Sequence, residues 1–150
     1  MTMLIEQALF ARIDTVDSKP YLEGASCGEL VVSALCAGRE KDWYNLLGFV
    51  VLPAEIQLLL IPRRLLISAL VTSLEAEVYP MISVLKPIGK AVFDTDFYRE
   101  KVDYAEEIRH RLRWMHLAPV RARLATLAES YPFSSANPRY RDVIIALNVS

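Results

Sequence analysis

Residues 49–62 read FVVLPAEIQLLLIP. Two apolar runs are separated only by Ala54-Glu55-Ile56-Gln57, with Pro53 at the break. Runs of this length, rich in branched residues and bounded by a turn signal, predict two buried strands, Tyr44 to Leu52 and Ile56 to Ile61, joined by a tight connection at Pro53-Ala54. One oddity stands in this hairpin. Glu55 and Gln57 occupy alternate positions at the mouth of the second strand, on one face of a segment otherwise built for burial.

Outward from the hairpin the chain alternates strand and helix signals. Leu9 to Val16 (LFARIDTV) predicts a strand ended by the polar turn Asp17-Ser18-Lys19-Pro20. Ser26-Cys27-Gly28-Glu29 has capping-box form, and Leu30, Val31, Ala34 and Leu35 follow at helical spacing, with a stop expected near Gly38. Pro62 is expected to begin a second helix carrying Leu66, Leu70, Leu74 and Val78 on one stripe, with Pro80 kinking or ending it. Pro87-Ile88-Gly89 reads as a loop, and 91–102 holds a fourth strand around Phe97. Asp103-x-x-Glu106 is a further capping signal for a helix with Ala105, Ile108, Leu112 and Met115 inward. Pro119 should end or bend that helix, with 120–127 continuing helical. The remainder is Ser/Pro/Asn-rich and then briefly apolar at Val143, Ile144, Ile145 and Leu147. The order β-α-β-β-α-β plus a C-terminal helix predicts an α+β, ferredoxin-like antiparallel sheet with two helices on one face. With 150 residues, a single domain over 1–150 is expected.

Composition bounds the function. Apolar residues make up 53% of the chain and mean hydropathy is above zero. This suggests an apolar surface covered by a partner or a second copy. The net charge is −1, so any affinity for nucleic-acid phosphates must come from a local patch. The start of the chain, with Glu6 and no basic run, does not read as a secretory signal. The apolar stretch from Leu65 to Leu85 contains Glu75, Glu77 and Pro80 and does not read as a membrane span. Cys27 and Cys36 fall on one helix, nine residues apart and ~180° around it, too far for a disulfide. A reduced, cytoplasmic protein with buried structural thiols is expected.

Four blocks in order resemble the single-tyrosine HUH transposases, and especially the REP-associated tyrosine transposases. The family strand ending Met-Pro-Asn-His-hydrophobic-His is matched by Leu52-Pro53-Ala54-Glu55-Ile56-Gln57. A Trp-Gln-x-x-Phe-Tyr-Asp-like segment corresponds to Phe93-Asp94-Thr95-Asp96-Phe97-Tyr98-Arg99. The Tyr-Ile-x-x-Asn-Pro-Val-Arg/Lys-Ala-Gly-Leu block aligns with Trp114-Met115-His116-Leu117-Ala118-Pro119-Val120-Arg121-Ala122-Arg123-Leu124. Tyr-Pro-Trp-Ser-Ser appears as Tyr131-Pro132-Phe133-Ser134-Ser135. The resemblance is strongest over 44–135.

The resemblance implies a chemistry that this chain has altered. In the family, two histidines at i and i+2 hold a divalent metal, Mg or Mn, against the scissile phosphate, and a helix tyrosine attacks it. Those positions fall on Glu55, Gln57 and Trp114. A neutral amide and one carboxylate do not reproduce an imidazole clamp, and an indole has no hydroxyl to act as nucleophile. The family Asn before Pro is Ala118. The expectation is therefore no catalytic residues, no metal site and no cofactor. His110 and His116, six apart, do not converge and read as surface or interface residues. Tyr98 and Tyr104 need a different geometry to replace the lost tyrosine.

Binding is what such a scaffold can retain. Arg63 and Arg64 stand at the start of the second helix, where an anion can dock or two solvated side chains can simply extend. Around the last helix stand Arg109, Arg111, Arg113, Arg121 and Arg123. Between Arg99 and Arg123, seven basic residues face four acids. Trp114 and Tyr98 are candidates to stack bases, or Trp114 packs where the tyrosine stood. Three readings follow: a catalytically inactive domain binding single-stranded or hairpin DNA; a transposase-derived fold re-used as a protein-interaction subunit; and an active enzyme with a rearranged site. The family pairs as homodimers, which fits the apolar surplus.

Overall fold

The computed structural model describes residues 8–144 of the chain; Glu6, Ile145 and Leu147 lie outside them. Strands β1 (Leu9–Asp14), β2 (Tyr44–Leu52), β3 (Glu55–Pro62) and β4 (Tyr98–Lys101) form an antiparallel sheet in the order β2-β3-β1-β4. Helices α1 (Ala25–Glu40) and α2 (Ile67–Leu85) connect them, and α3 (Ala105–His116) and the single turn α4 (Ala118–Arg121) follow. This is the expected ferredoxin-like α+β arrangement.

The hairpin β2–β3 is the centre of the domain. Alternation along β3 sends Ile56, Leu58 and Leu60 to the face covered by α1 and α2, and Leu59 to the face covered by α3. A bulge between Leu46 and Gly48 shifts the phase of β2 by one residue. Leu46 and Phe49 therefore both face α1 and α2, while Leu47 and Val50 both face α3. At the bulge α3 leaves no room for a side chain on Gly48, because a Cβ there would overlap Leu112 Cδ1. The third helix thus lies on the opposite face from the first two.

Segment 131–137 closes the outer edge of β2. Val51 N–H donates to the Phe133 carbonyl at 2.8 Å and Ser135 N–H to the Phe49 carbonyl at 2.9 Å. The Tyr131 hydroxyl donates to the Val51 carbonyl at 2.6 Å. Ladder groups that an edge strand would otherwise expose are satisfied by this arm.

Several boundaries differ from the sequence expectation. α1 starts earlier than Ser26: Gly24, at φ 102°, turns the chain into it, and no side chain caps it. The helix runs to Glu40, close to the stop expected near Gly38, where a Cβ would meet the Tyr44 ring. The Tyr44 hydroxyl donates to the Leu35 carbonyl in that space. α2 begins at Ile67 rather than Pro62, since the N–H groups of Arg63, Arg64 and Leu65 all point at the Trp43 carbonyl (2.8, 3.1 and 3.3 Å) in a turn no helix can share. Leu66 is consequently exposed and outside the buried stripe. Pro80 sits within α2 without ending it. At α3 the Asp103 cap does not form; Tyr104 occupies the cap position with no side-chain bond. Residues 122–127 do not continue helical, because Arg123 turns left-handed (φ 60°) and Leu124 N–H returns to the Pro119 carbonyl at 2.8 Å.

By length and composition alone α2 is apolar enough to cross a membrane. In the domain it buries Ile67, Leu70, Val71, Leu74, Val78 and Ile82, and the Glu75 carboxylate accepts from Val92 and Phe93 N–H at 2.9 Å each. A carboxylate tied to the neighbouring backbone marks a helix belonging to the core.

Candidate nucleic-acid interface

The α3 face of the sheet carries Glu55, Gln57 and Trp114. β1 supplies Phe10, Arg12 and Asp14, directly opposite Leu59, Gln57 and Glu55 of β3. β4 adds Glu100 beside Phe10 and Tyr98 beside Arg12. Gln57 is 3% exposed. Its Nε2 donates to Glu55 Oε2 at 3.1 Å, and its Oε1 is buried without a partner among the described residues. The amide thus turns a donor, not a lone pair, toward the single carboxylate. Two convergent lone pairs, which a divalent cation requires, are not presented at 55 and 57. Among the described residues no group of three His, Cys, Asp or Glu side chains is placed to hold a metal ion. Glu55 and Gln57, so arranged, do not fit a Mg or Mn ion.

Trp114 projects from α3 onto the same face. Its ring meets Phe10 edge-on at 6.2 Å, and Phe10 meets Tyr98 edge-on at 6.1 Å. Arg121 lies over Trp114 at 4.5 Å and Arg111 over Phe10 at 4.5 Å, with Arg12 over Tyr98 at 5.8 Å. The result is a row of three aromatic rings each attended by a guanidinium, and its outer members are open to solvent: Trp114 is 43% and Tyr98 48% exposed. Glu100 anchors the row, accepting from Arg111 Nη2 on both oxygens at 3.0 Å and from the Tyr98 hydroxyl. That hydroxyl's bond to Glu100 pushes the Tyr98 pKa up, opposite to what activation as a nucleophile requires. The Tyr98 bond likewise holds the Glu100 carboxyl below its usual range.

The structure separates the other arginines. Arg109 and Arg111 are ~200° apart on α3, so Arg109 and Arg113 occupy the flank away from Trp114. Arg109, Arg113, Arg121 and Arg123 are exposed, and none is in an ion pair among the described residues. Arg63 and Arg64 lie at the far end of β3 and both bind Asp42, at 2.6 and 3.3 Å. That pairing draws the Asp42 carboxyl below its ordinary value. They stand not at a helix terminus but in the turn before α2. His110 is exposed, whereas His116 is half-buried and its Nε2 lies 2.7 Å from Ser135 Oγ. Burial lowers the His116 pKa below 6.5. Phe10, Arg12 and Glu100 were not singled out by the sequence; the alternation Phe10-x-Arg12-x-Asp14 on β1 was the available signal.

No protein-family model and no curated protein matches the chain. Among solved structures, a REP-associated tyrosine transposase bound to a REP hairpin superimposes with a TM-score of 0.69, over 99% of this chain and 90% of that one, at 14% identity. The chain has the fold of a REP-associated tyrosine transposase. A protein named as a transposase of Deinococcus radiodurans R1 superimposes less closely on this transposase-like fold, at a TM-score of 0.52 and 14% identity, over 75% of this chain and 88% of that one.

Proposed function

We propose that the chain is a catalytically inactive transposase-like domain that binds single-stranded or hairpin DNA without cutting it. One observation carries this reading: the position where the resemblance places the nucleophilic tyrosine holds an exposed Trp114, covered by Arg121 and set in a row of aromatic rings and guanidiniums. An indole cannot attack phosphorus, but it stacks on a base, and stacking with flanking arginines is how single strands are held without strand chemistry. The solved relative in fold is bound to a hairpin, which supports hairpin DNA as the ligand. Arg121, over Trp114, extends the row toward a phosphate backbone, and the exposed Arg123, with Arg109 and Arg113 on the opposite flank of α3, adds positive charge. Arg63 and Arg64, engaged by Asp42, contribute least. No divalent metal takes part in this reading.

Binding of a tailed DNA hairpin, followed by fluorescence anisotropy, should weaken steeply with salt. Replacing Arg121 and Arg123 by Gln should reduce the log–log slope by about 0.7 for each lost phosphate contact. Absence of binding at about 50 mM salt would overturn the reading. On denaturing gels with Mn, no covalent protein–DNA adduct should form; an adduct would overturn the claim of inactivity.

A second reading, a protein-interaction subunit or homodimer, is favoured by Leu117, Leu124 and Leu127, which are 44–55% exposed beside α4. Light scattering on the purified chain tests it: a strict monomer at all concentrations removes the homodimer.

A further inference from the structure

The sheet has two edges, and the structure treats them differently. Segment 131–137 closes β2, whereas β4 has β1 on one side and no hydrogen-bonded neighbour among the described residues on the other. Val102 N–H donates to the Ala8 carbonyl at 2.9 Å, and this fixes the phase of the β1–β4 ladder. Phe10–Glu100 and Arg12–Tyr98 are the hydrogen-bonded pairs, and Leu9–Lys101 and Ala11–Arg99 alternate with them. The backbone N–H and C=O groups of Arg99 and Lys101 therefore point away from β1, without partners among the described residues. We infer that this open edge takes an extended, acidic segment of a partner protein as a further strand. Neither Arg99 nor Lys101 belongs to the row around Trp114 or to the leucines beside α4, so this edge stands or falls separately from DNA binding.

The side chains of the edge select its partner. Cross-strand neighbours share a face, so Lys101 and Arg99 stand with Leu9 and Ala11 on the α1–α2 face, while Glu100 and Tyr98 stand with Phe10 and Arg12 on the α3 face. Arg99 and Lys101 are exposed, and neither is in an ion pair among the described residues. With Leu9 and Glu100 they line a cleft of about 400 Å³. Glu100 does not cancel their charge, because its carboxylate is held on the other face by Arg111 and the Tyr98 hydroxyl. A strand added here sets two of its alternate side chains beside the two cations, which favours acidic residues at i and i+2 and opposes basic ones. The same rule opposes a second copy of β4. Every antiparallel register that matches the faces sets Arg99 or Lys101 against a basic residue of the other copy. A nucleic-acid phosphate offers acceptors alone and would leave the outward carbonyls unpaired; a peptide strand supplies donors and acceptors in turn.

The test titrates the full chain with the peptide acetyl-Thr-Glu-Val-Glu-Thr-amide and follows the backbone amides by NMR. A Kd below about 1 mM is expected at low salt, with hydrogen exchange at the Arg99 and Lys101 amides slowed at least about tenfold at saturation. The same peptide with Lys in place of both Glu residues should bind at least about tenfold more weakly, and the double variant Arg99→Glu, Lys101→Glu should reverse that preference. Absence of binding would overturn the inference. So would a peptide that binds without protecting these two amides, or a preference unchanged in the double variant. Protection of the same amides that rises with protein concentration, without peptide, would give the edge to a second copy instead. Loss of DNA hairpin binding in the double variant would give Arg99 and Lys101 to the nucleic acid and likewise overturn it, whereas unchanged hairpin binding alongside reversed peptide preference supports a separate protein-docking edge.

Discussion

Gln57→Met isolates the physical state of the buried amide on β3. The amide is nearly fully buried, its Nε2 donates one hydrogen bond to Glu55, and its Oε1 has no partner among the described residues. A buried, unpaired acceptor costs about 1–3 kcal/mol, and methionine of similar length removes it. The change also loses the bond to Glu55, but that carboxylate is only partly buried and regains water, so the loss is about 0.5–1 kcal/mol. The difference leaves the variant between about equal and about 2.5 kcal/mol more stable. For a domain of this size that corresponds to a rise of up to roughly 10 °C in melting temperature. Thermal and urea unfolding of the two proteins, monitored by circular dichroism, measure it. A Gln57→Met protein less stable than the parent by more than about 1 kcal/mol would refute the reasoning, since it would mean that Oε1 is satisfied by a bound water that methionine cannot hold.

Two further outcomes follow from the α3 face. His116 has its pKa depressed by burial, so the unfolded chain takes up protons at that site before the folded one does. Stability should therefore fall as pH drops from about 6.5 through the lower folded value, and His116→Gln should flatten the change in urea midpoint between about pH 7 and about pH 5. At the bulge, Gly48→Ala should destabilise by about 1–3 kcal/mol, because the added methyl overlaps Leu112 and lies 3.3 Å from Ser135 Oγ. Leu112→Ala in the same chain should recover part of that loss; strictly additive unfolding energies would show that the two residues do not touch.

The hairpin stretch 49–62 was legible because two signals agreed there: apolar runs of strand length and a proline turn between them. The core stripe of α3 was legible for the same reason, and Ile108 and Met115 are buried as the spacing demands. Caps were not. Ser26 and Asp103 look like capping residues, yet the chain enters α1 through Gly24 and α3 through Tyr104. A local hydrogen bond is worth too little to fix a boundary against tertiary packing. Pro62 misled for a related reason: it is the last residue of β3, paired with Tyr44, and the strand ladder outweighs proline's preference for a first helical turn.

The sequence by itself determined the element order, the hairpin, and the absence of imidazole and phenol at positions 55, 57 and 114, because residue type and strand or helix period are local properties. Only the tertiary structure decided which side chains share a face. It placed Phe10 and Arg12 of β1 across from β3, set Arg111 over Phe10 and Arg121 over Trp114, and gave Arg63 and Arg64 to Asp42. These juxtapositions depend on sheet register and on how closely α3 approaches the bulge at Gly48, distances set by packing between segments far apart in the chain.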